Sequence, residues 1–245
     1  MRDVIMLDSI KIVLVETSHP GNIGATARAM KTMGLKHLVL VQPKHFPHPE
    51  ATAMASGADD ILEQAKVVDC FSEAIADCHY VYGCTARARD LEWPMLLPRE
   101  LSEQSYQHMQ NGLNVAIVFG RERTGLTNEE LWLCHAGVYI PTSPIYRSLN
   151  VAQAVQIICY ELYQGQANFS LQPLTGDVVS NSAMQQFYQH LEQVLIDIQF
   201  MRADEPKRLL PKLRRLFNRC QIQSSEMNIL RGILTQVQKY GRGHE

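Results

Sequence analysis

Between Asn114 and Glu161 two short apolar runs are each cut off by a polar loop and followed by an amphipathic or apolar segment. The first run, Asn114 to Phe119, is rich in Val and Ile and reads as a fully buried strand. Gly120 ends it, RERTGL follows as a loop, and Thr127 with Glu130 three residues later forms a capping box that opens a helix. The second run, Gly137 to Ile140, is broken by Pro141 and Pro144, and Ser148-Leu149-Asn150 leads into another helix. Both loops thus lie where a strand ends and a helix begins, the edge at which open α/β sheets place their ligands.

The rest of the first two thirds repeats this alternation. Strands are expected at Ile10 to Glu16, His37 to Val41, Val67 to Asp69 and His79 to Gly83. Helices are expected at Asn22 to Met33, around Ala51 to Ser56, near Asp60 to Ala65, at Ser72 to Asp77 and from Pro98, with a turn at Trp93-Pro94. Strand and helix in alternation predict an α/β fold, a mainly parallel sheet with helices on both faces. Residues 166–181 are rich in Gln, Asn, Ser, Pro and Gly and read as a linker. It divides a domain over residues 1–165 from a small all-helical extension over residues 182–245. Three apolar stripes mark the extension: Met184 to Ile198, Leu209 to Phe217, and Ile229, Leu230, Ile233, Leu234 and Val237.

Charge separates these parts. Residues 166–245 hold ten Lys/Arg and seven Asp/Glu, a balance of +3; the other 13 and 18 leave residues 1–165 at −5. A basic tail on an acidic body points to an anionic partner. Seven positive and two negative residues fall between Arg202 and Arg219, and Lys212, Arg214, Arg215 and Arg219 on one helix suit a phosphate backbone, a solvated face being the plain alternative. Arg87 and Arg89 are further RNA candidates.

Several classes are disfavoured. Cys70, Cys78, Cys84, Cys134, Cys159 and Cys220 include no CxxC pair, and the nine histidines show no metal spacing, so no metal is expected and most histidines are placed in loops or at the surface. Neither GxGxxG nor the P-loop pattern is present, which argues against NAD and nucleoside triphosphates. With no apolar run near 20 residues and no signal-peptide pattern, a cytoplasmic protein is expected, outside any membrane.

Three loop motifs, taken in order, resemble a known family. They stand as Asn22-Ile23-Gly24 with Arg28, then Phe119-Gly120-Arg121-Glu122-Arg123-Thr124-Gly125-Leu126, then Ile140-Pro141 with Ser148-Leu149-Asn150-Val151. The set is similar to the motifs of the SPOUT superfamily of RNA methyltransferases, in its ribose 2′-O-methyltransferase branch. VETSHPGNIGATARAMKTMGL, ARARDLEWPML, KLRRLFNR and MNILRGIL further resemble enzymes that methylate the ribose of a pyrimidine, C or U, at position 32 of the tRNA anticodon loop. The likeness runs from about Ile10 to Val237.

The resemblance implies a trefoil knot late in the first domain, a homodimer, tRNA as partner and S-adenosyl-L-methionine as cofactor. Carried across, the cofactor residues are Cys84, Thr85, Ala86, Gly120, Ile140, Arg147, Ser148 and Leu149; the chain departs from the pattern at Cys84, where a small hydroxyl residue is expected. Arg28 is implied as the catalytic arginine, facing the cofactor of the other subunit and either taking the hydroxyl proton or orienting the oxygen while water takes it. Asn22 and Asn150 are candidates to hold the loops and the target ribose. Glu122 is a candidate to buttress Arg28 or the third loop, with a solvated carboxylate as the alternative, and Ser148 is either a ligand or a helix N-cap. Ribose methylation of ribosomal RNA and a non-catalytic RNA-binding protein of the same fold are the rival readings.

Overall fold

The computed structural model describes residues 7–86, 93–165, 177–202 and 209–241. Seven strands form one sheet: β1 (Ile10–Val15), β2 (His37–Val41), β3 (Lys66–Val68), β4 (Tyr80–Cys84), β5 (Met95–Leu96), β6 (Val115–Phe119) and β7 (Ala136–Val138). Their order is β3-β2-β1-β6-β4-β7-β5 and every pairing is parallel. The C-terminal ends of all the strands therefore share one edge.

Alternation along the strands explains why both faces are covered. Val13, Val15, Val39, Val41, Val81, Ala116 and Val118 face one way, into a core completed by Phe71 and Ile75 of α4 (Phe71–Ile75) and Leu131 of α6 (Asn128–Trp132). Their neighbours Ile12, Leu14, Leu38, Leu40, Tyr82 and Ile117 face the other way and are as deeply buried. On that side Tyr82 donates its hydroxyl to Gln104 Oε1 at 3.1 Å on α5 (Pro98–Gln110). Ser102 and Tyr106 of α5 bond the carbonyls of Glu161 and Leu162 on α7 (Val151–Gly165), and α7 packs on α1 (Pro20–Thr32). Two short helices, α2 (Pro49–Ala55) and α3 (Asp59–Glu63), complete the unit. Gly24 permits the α1–α2 approach: a Cβ there would lie 2.0 Å from the Ala51 carbonyl oxygen.

The structure corrects the sequence reading in four places. The helix expected from Asn22 begins at Pro20, a residue suited to a first turn because it has no N–H to leave unpaired. The Trp93-Pro94 turn runs into the edge strand β5, which at two residues is too short to show periodicity; Gly137 N donates to Pro94 O at 2.8 Å and Tyr139 N to Leu96 O at 2.9 Å. Two histidines depart from the loop and surface placing expected of most: His108 lies on α5, and His135, in the connection between α6 and β7, is half-buried. His108 is 3% exposed, stacks on Tyr80 with ring centroids 3.5 Å apart and lies 3.0 Å from the Tyr82 hydroxyl. His135 Nδ1 accepts from Val81 N at 3.1 Å. Burial lowers both imidazoles, His108 to about 3 and His135 to about 4.

Fourth, residues 177–180, assigned to the linker, are built into the second unit. By compactness the chain divides into Met1–Leu174 and Thr175–Glu245. In the second unit Val179 N donates to Ile222 O, Ser224 N to Asp177 O, and Ser180 caps α8 (Asn181–Asp197). Its core joins Met184, Phe187, Tyr188 and Leu191 to Phe217 of α9 (Leu209–Asn218) and to Met227, Leu230 and Leu234 of α10 (Ser224–Gly241). The expected α10 stripe is split: Leu230 and Leu234 pack inward, whereas Ile229 and Ile233 are exposed.

Candidate active site

A cavity of about 570 Å³ opens at the C-terminal edge of the sheet, where β4, β6 and β7 end. Phe119, Val138, Leu149, Val151 and Ala154 give it apolar walls, and Arg123 and Arg147 stand exposed on it. The eight residues expected to hold a cofactor all line it: Cys84, Thr85 and Ala86 after β4, Gly120 after β6, and Ile140, Arg147, Ser148 and Leu149 between β7 and α7. Burial among Cys134 and Cys159 pushes the Cys84 thiol well above its ordinary range, so at neutral pH it is a neutral, weakly polar group.

The loop after β6 is held tightly. Arg121 and Gly125 exchange two backbone hydrogen bonds, Arg121 N to Gly125 O at 3.3 Å and Gly125 N to Arg121 O at 2.9 Å. Gly125 adopts φ +69°, and a Cβ on Gly120 would fall 2.2 Å from the Gly125 carbonyl carbon. Glycine is needed at both positions, once for handedness and once for space. Arg121 fastens the loop from one side: it pairs with Glu16 at the end of β1 and, at 3.0 Å, with Glu130 of α6. Hydrogen bonding to Glu16 and then Glu130 raises the Arg121 pKa, keeping it charged, while Arg121 holds Glu16 below the usual carboxylate range. Sequence reasoning missed this cluster; its one signal was a charged residue within two positions of the end of each of two buried strands, Glu16 after β1 and Arg121 after β6.

Glu122 fastens the loop from the other side. It accepts from Ser18 N at 3.1 Å, Ser18 Oγ at 3.1 Å, His19 N at 3.2 Å and Asn22 Nδ2 at 3.2 Å. Burial raises its pKa, but the bonds from its own backbone, His19, Asn22 and Ser18 outweigh burial and leave it below 4.5. Asn22 Oδ1 in turn accepts from Asn150 Nδ2 at 2.8 Å. Asn150 Oδ1 accepts from Ala152 N at 2.9 Å, which makes Asn150, and not Ser148, the side-chain cap of α7. Glu122, Asn22 and Asn150 thus form one relay joining all three motif loops. Glu122 buttresses the third loop through Asn22; it does not contact Arg28.

Arg28 stands apart. It is exposed, does not line the cavity, and its guanidinium has no hydrogen-bond or ion-pair partner among the described residues. Six residues along a helix carry it about 9 Å from Asn22 and roughly 120° round the axis, so the two cannot meet at one atom within one chain.

The basic tail is also redistributed. Positions 212, 215 and 219 fall on one side of a helix and 214 on the other. Lys212 and Arg219 are exposed and Arg215 is half-buried, whereas Arg214 turns inward. Its guanidinium lies 4.5 Å from the centre of the Tyr188 ring and donates to Gln185 Oε1 at 2.7 Å. Burial lowers its pKa. Arg214 is a packing residue here, and the expectation that it presents charge to RNA is withdrawn. Arg87 and Arg89 lie outside the described residues. Among the described residues no group of His, Cys, Asp and Glu could hold a metal ion, and no helix is long and apolar enough to cross a membrane.

A parallel sheet with a glycine-walled crevice at its C-terminal edge defines a class of α/β proteins that bind small ligands there. Comparison with known proteins narrows the class. The chain belongs to the SpoU rRNA Methylase family, which matches residues 9–160, and residues 182–245 match the C-terminal domain of the tRNA methyltransferase TrmJ. It is 50% identical over 249 residues to the tRNA (cytidine/uridine/adenosine-2′-O-)-methyltransferase TrmJ of Pseudomonas aeruginosa, covering 97% of each chain. It is 48% identical over 247 residues to the tRNA (cytidine/uridine-2′-O-)-methyltransferase TrmJ of Photorhabdus laumondii, covering 97% of this chain and 100% of that one. Among solved structures, TrmJ from Z. mobilis ZM4 superposes with a TM-score of 0.82 at 33% identity, over 93% of this chain and 98% of that one.

Proposed function

We propose that this chain is an S-adenosylmethionine-dependent tRNA ribose 2′-O-methyltransferase, acting as a homodimer on a pyrimidine at position 32 of the anticodon loop. The observation that carries the reading is the convergence of all eight expected cofactor residues on one cavity, beside the Glu122–Asn22–Asn150 relay. The match of the tail to the TrmJ C-terminal domain and the names of the relatives favour tRNA over ribosomal RNA. The knot is proposed on the same family grounds, and it would lie in the cavity-lining segment between β7 and α7.

The cavity suits the cofactor chemically. Apolar walls with peptide groups between them can hold a neutral adenosine, and a cationic sulfonium calls for no phosphate cradle. Cys84, Thr85, Ala86, Gly120, Ile140 and Ser148 to Leu149 would hold the nucleoside, with Arg147 exposed beside them. S-adenosylmethionine, when bound, supplies a methyl group already activated on sulfur. The protein must then align the ribose oxygen and help remove its proton.

Within this reading Asn22 and Asn150 fix the loops that border the ribose, and Glu122 fixes both. Arg28 is exposed and away from the cavity of its own chain, which supports its serving the partner's site. A guanidinium is charged at any physiological pH; Arg28 would orient the 2′-oxygen and its phosphate, with the proton passing to water. Lys212, Arg215 and Arg219, with Arg87 and Arg89, are proposed RNA contacts. Incubation with labelled S-adenosylmethionine tests the reading: label should enter unmodified tRNA and not ribosomal RNA. Label in ribosomal RNA alone would reverse the substrate, and no cofactor binding by calorimetry would leave a non-catalytic RNA-binding protein.

A further inference from the structure

We propose that the loop between β2 and α2, residues 42–48, is a second phosphate contact for the RNA substrate, formed by Lys44 with His45 and His48. The inference rests on the reading of the chain as an RNA methyltransferase.

The first argument is place. In a parallel sheet the loop after β2 shares its edge with the loops that line the cavity. β2 lies two strands from β6, about 10 Å at the usual strand spacing. The loop is also tied to that rim: Lys44 N donates to Thr17 O at 3.1 Å, and the next residue, Ser18, is gripped by Glu122 of the cavity wall.

The second is rigidity. Pro43 and Pro47 fix φ at two of the loop's seven positions and Pro49 opens α2 directly after it, so less backbone entropy remains to be lost when a ligand binds.

The third is chemistry. Lys44, His45 and His48 are all exposed, and the two imidazoles lie 6.5 Å apart. His48 Nδ1 accepts from Glu50 N at 3.2 Å. The proton of the neutral ring therefore sits on Nε2, which is left as a donor. Glu16 is close enough to Lys44 to feel its charge, yet it is committed to Arg121; no described residue forms an ion pair with Lys44. A lysine and two imidazole donors on a stiff loop match a phosphodiester, and Arg123 and Arg147 are two further exposed cations at the cavity on the same edge of the sheet.

The test is direct tRNA binding over a range of salt concentrations, with wild type, Lys44→Gln and the double variant His45→Ala/His48→Asn. Asparagine at 48 keeps an acceptor for the Glu50 N–H, so α2 stays capped. Lys44→Gln should weaken binding about three- to tenfold near 0.1 M salt and reduce the salt slope by about one. The double variant should weaken binding with a smaller change in slope, and cofactor affinity should stay as in wild type in both. Unchanged tRNA affinity and slope in both variants would overturn the proposal. Wild-type methyl transfer measured in parallel separates the two claims: tRNA binding that depends on Lys44 without any transfer would sink the enzymatic reading and leave this contact standing.

Discussion

Replacing Glu122 should loosen the cavity in a graded way. Its carboxylate takes hydrogen bonds from four donors, Ser18 N, Ser18 Oγ, His19 N and Asn22 Nδ2. Hydrogen bonds to a charged group contribute roughly 1.5–3 kcal/mol each when buried. Glu122 is only partly buried, so solvent screening reduces each to about 0.7 kcal/mol. Glu122→Ala then costs about 3 kcal/mol, or about 6–12 °C in the melting of the sheet-bearing unit. Glu122→Gln keeps one acceptor oxygen for Ser18 N, His19 N and Asn22, and Ser18 Oγ can turn to accept from the new amide, so it should lose about 1 kcal/mol.

The pH dependence follows from the sign of the shift. Glu122 has a folded pKa below 4.5, so its contribution is complete above the unfolded value and is lost as the pH falls through the folded one. Glu122→Gln should lack that loss. Calorimetric melting and cofactor titration read both effects: cofactor affinity should fall at least about tenfold in the Ala variant, equivalent to about 1.4 kcal/mol. An Ala variant that melts and binds cofactor like wild type would refute the claim that the relay holds the loops.

Gly120→Ala should destabilise by about 3 kcal/mol and abolish cofactor binding, because its Cβ would lie 2.2 Å from the Gly125 carbonyl carbon; thermal melting and calorimetry check it. Acid should destabilise the sheet-bearing unit before most carboxylates titrate. His108 and His135 have folded values near 3 and 4 against 6.5 unfolded, so stability is full above pH 6.5 and falls below it as the unfolded chain gains protons. Each should cost about 2 kcal/mol at pH 5, and a His108→Phe variant should show a shallower denaturant-midpoint profile between pH 7 and 5. Mixing Arg28→Ala with Glu122→Ala chains should give activity above that of either variant alone, since both lesions then fall in one site of the mixed dimer and leave the other site intact; co-purification of differently tagged chains would confirm the mixed dimer.

The sheet was legible because burial on both faces leaves nearly unbroken apolar runs such as Ile10 to Val15 and Val115 to Phe119. The loops were legible because glycine and capping residues mark chain reversals, as Thr127 and Glu130 do. The Glu122–Asn22–Asn150 relay was not, since its members are 100 and 128 residues apart and polarity alone does not choose partners. β5 is shorter than any period. His108 was not legible as a core residue because histidine is found both inside and outside proteins, so its type alone does not place it. Arg214 was discoverable: at two residues from Lys212 it lies 200° round the helix, on the side where Tyr188 waits.

Alkaline mapping of tRNA modified by wild type and by Arg28→Ala tests the central claim most directly, because a 2′-O-methyl group removes the hydroxyl that alkaline cleavage requires. The account predicts one resistant linkage, after position 32 of the anticodon loop, with wild type and none with the variant. A resistant linkage elsewhere, or one made equally well without Arg28, would contradict it.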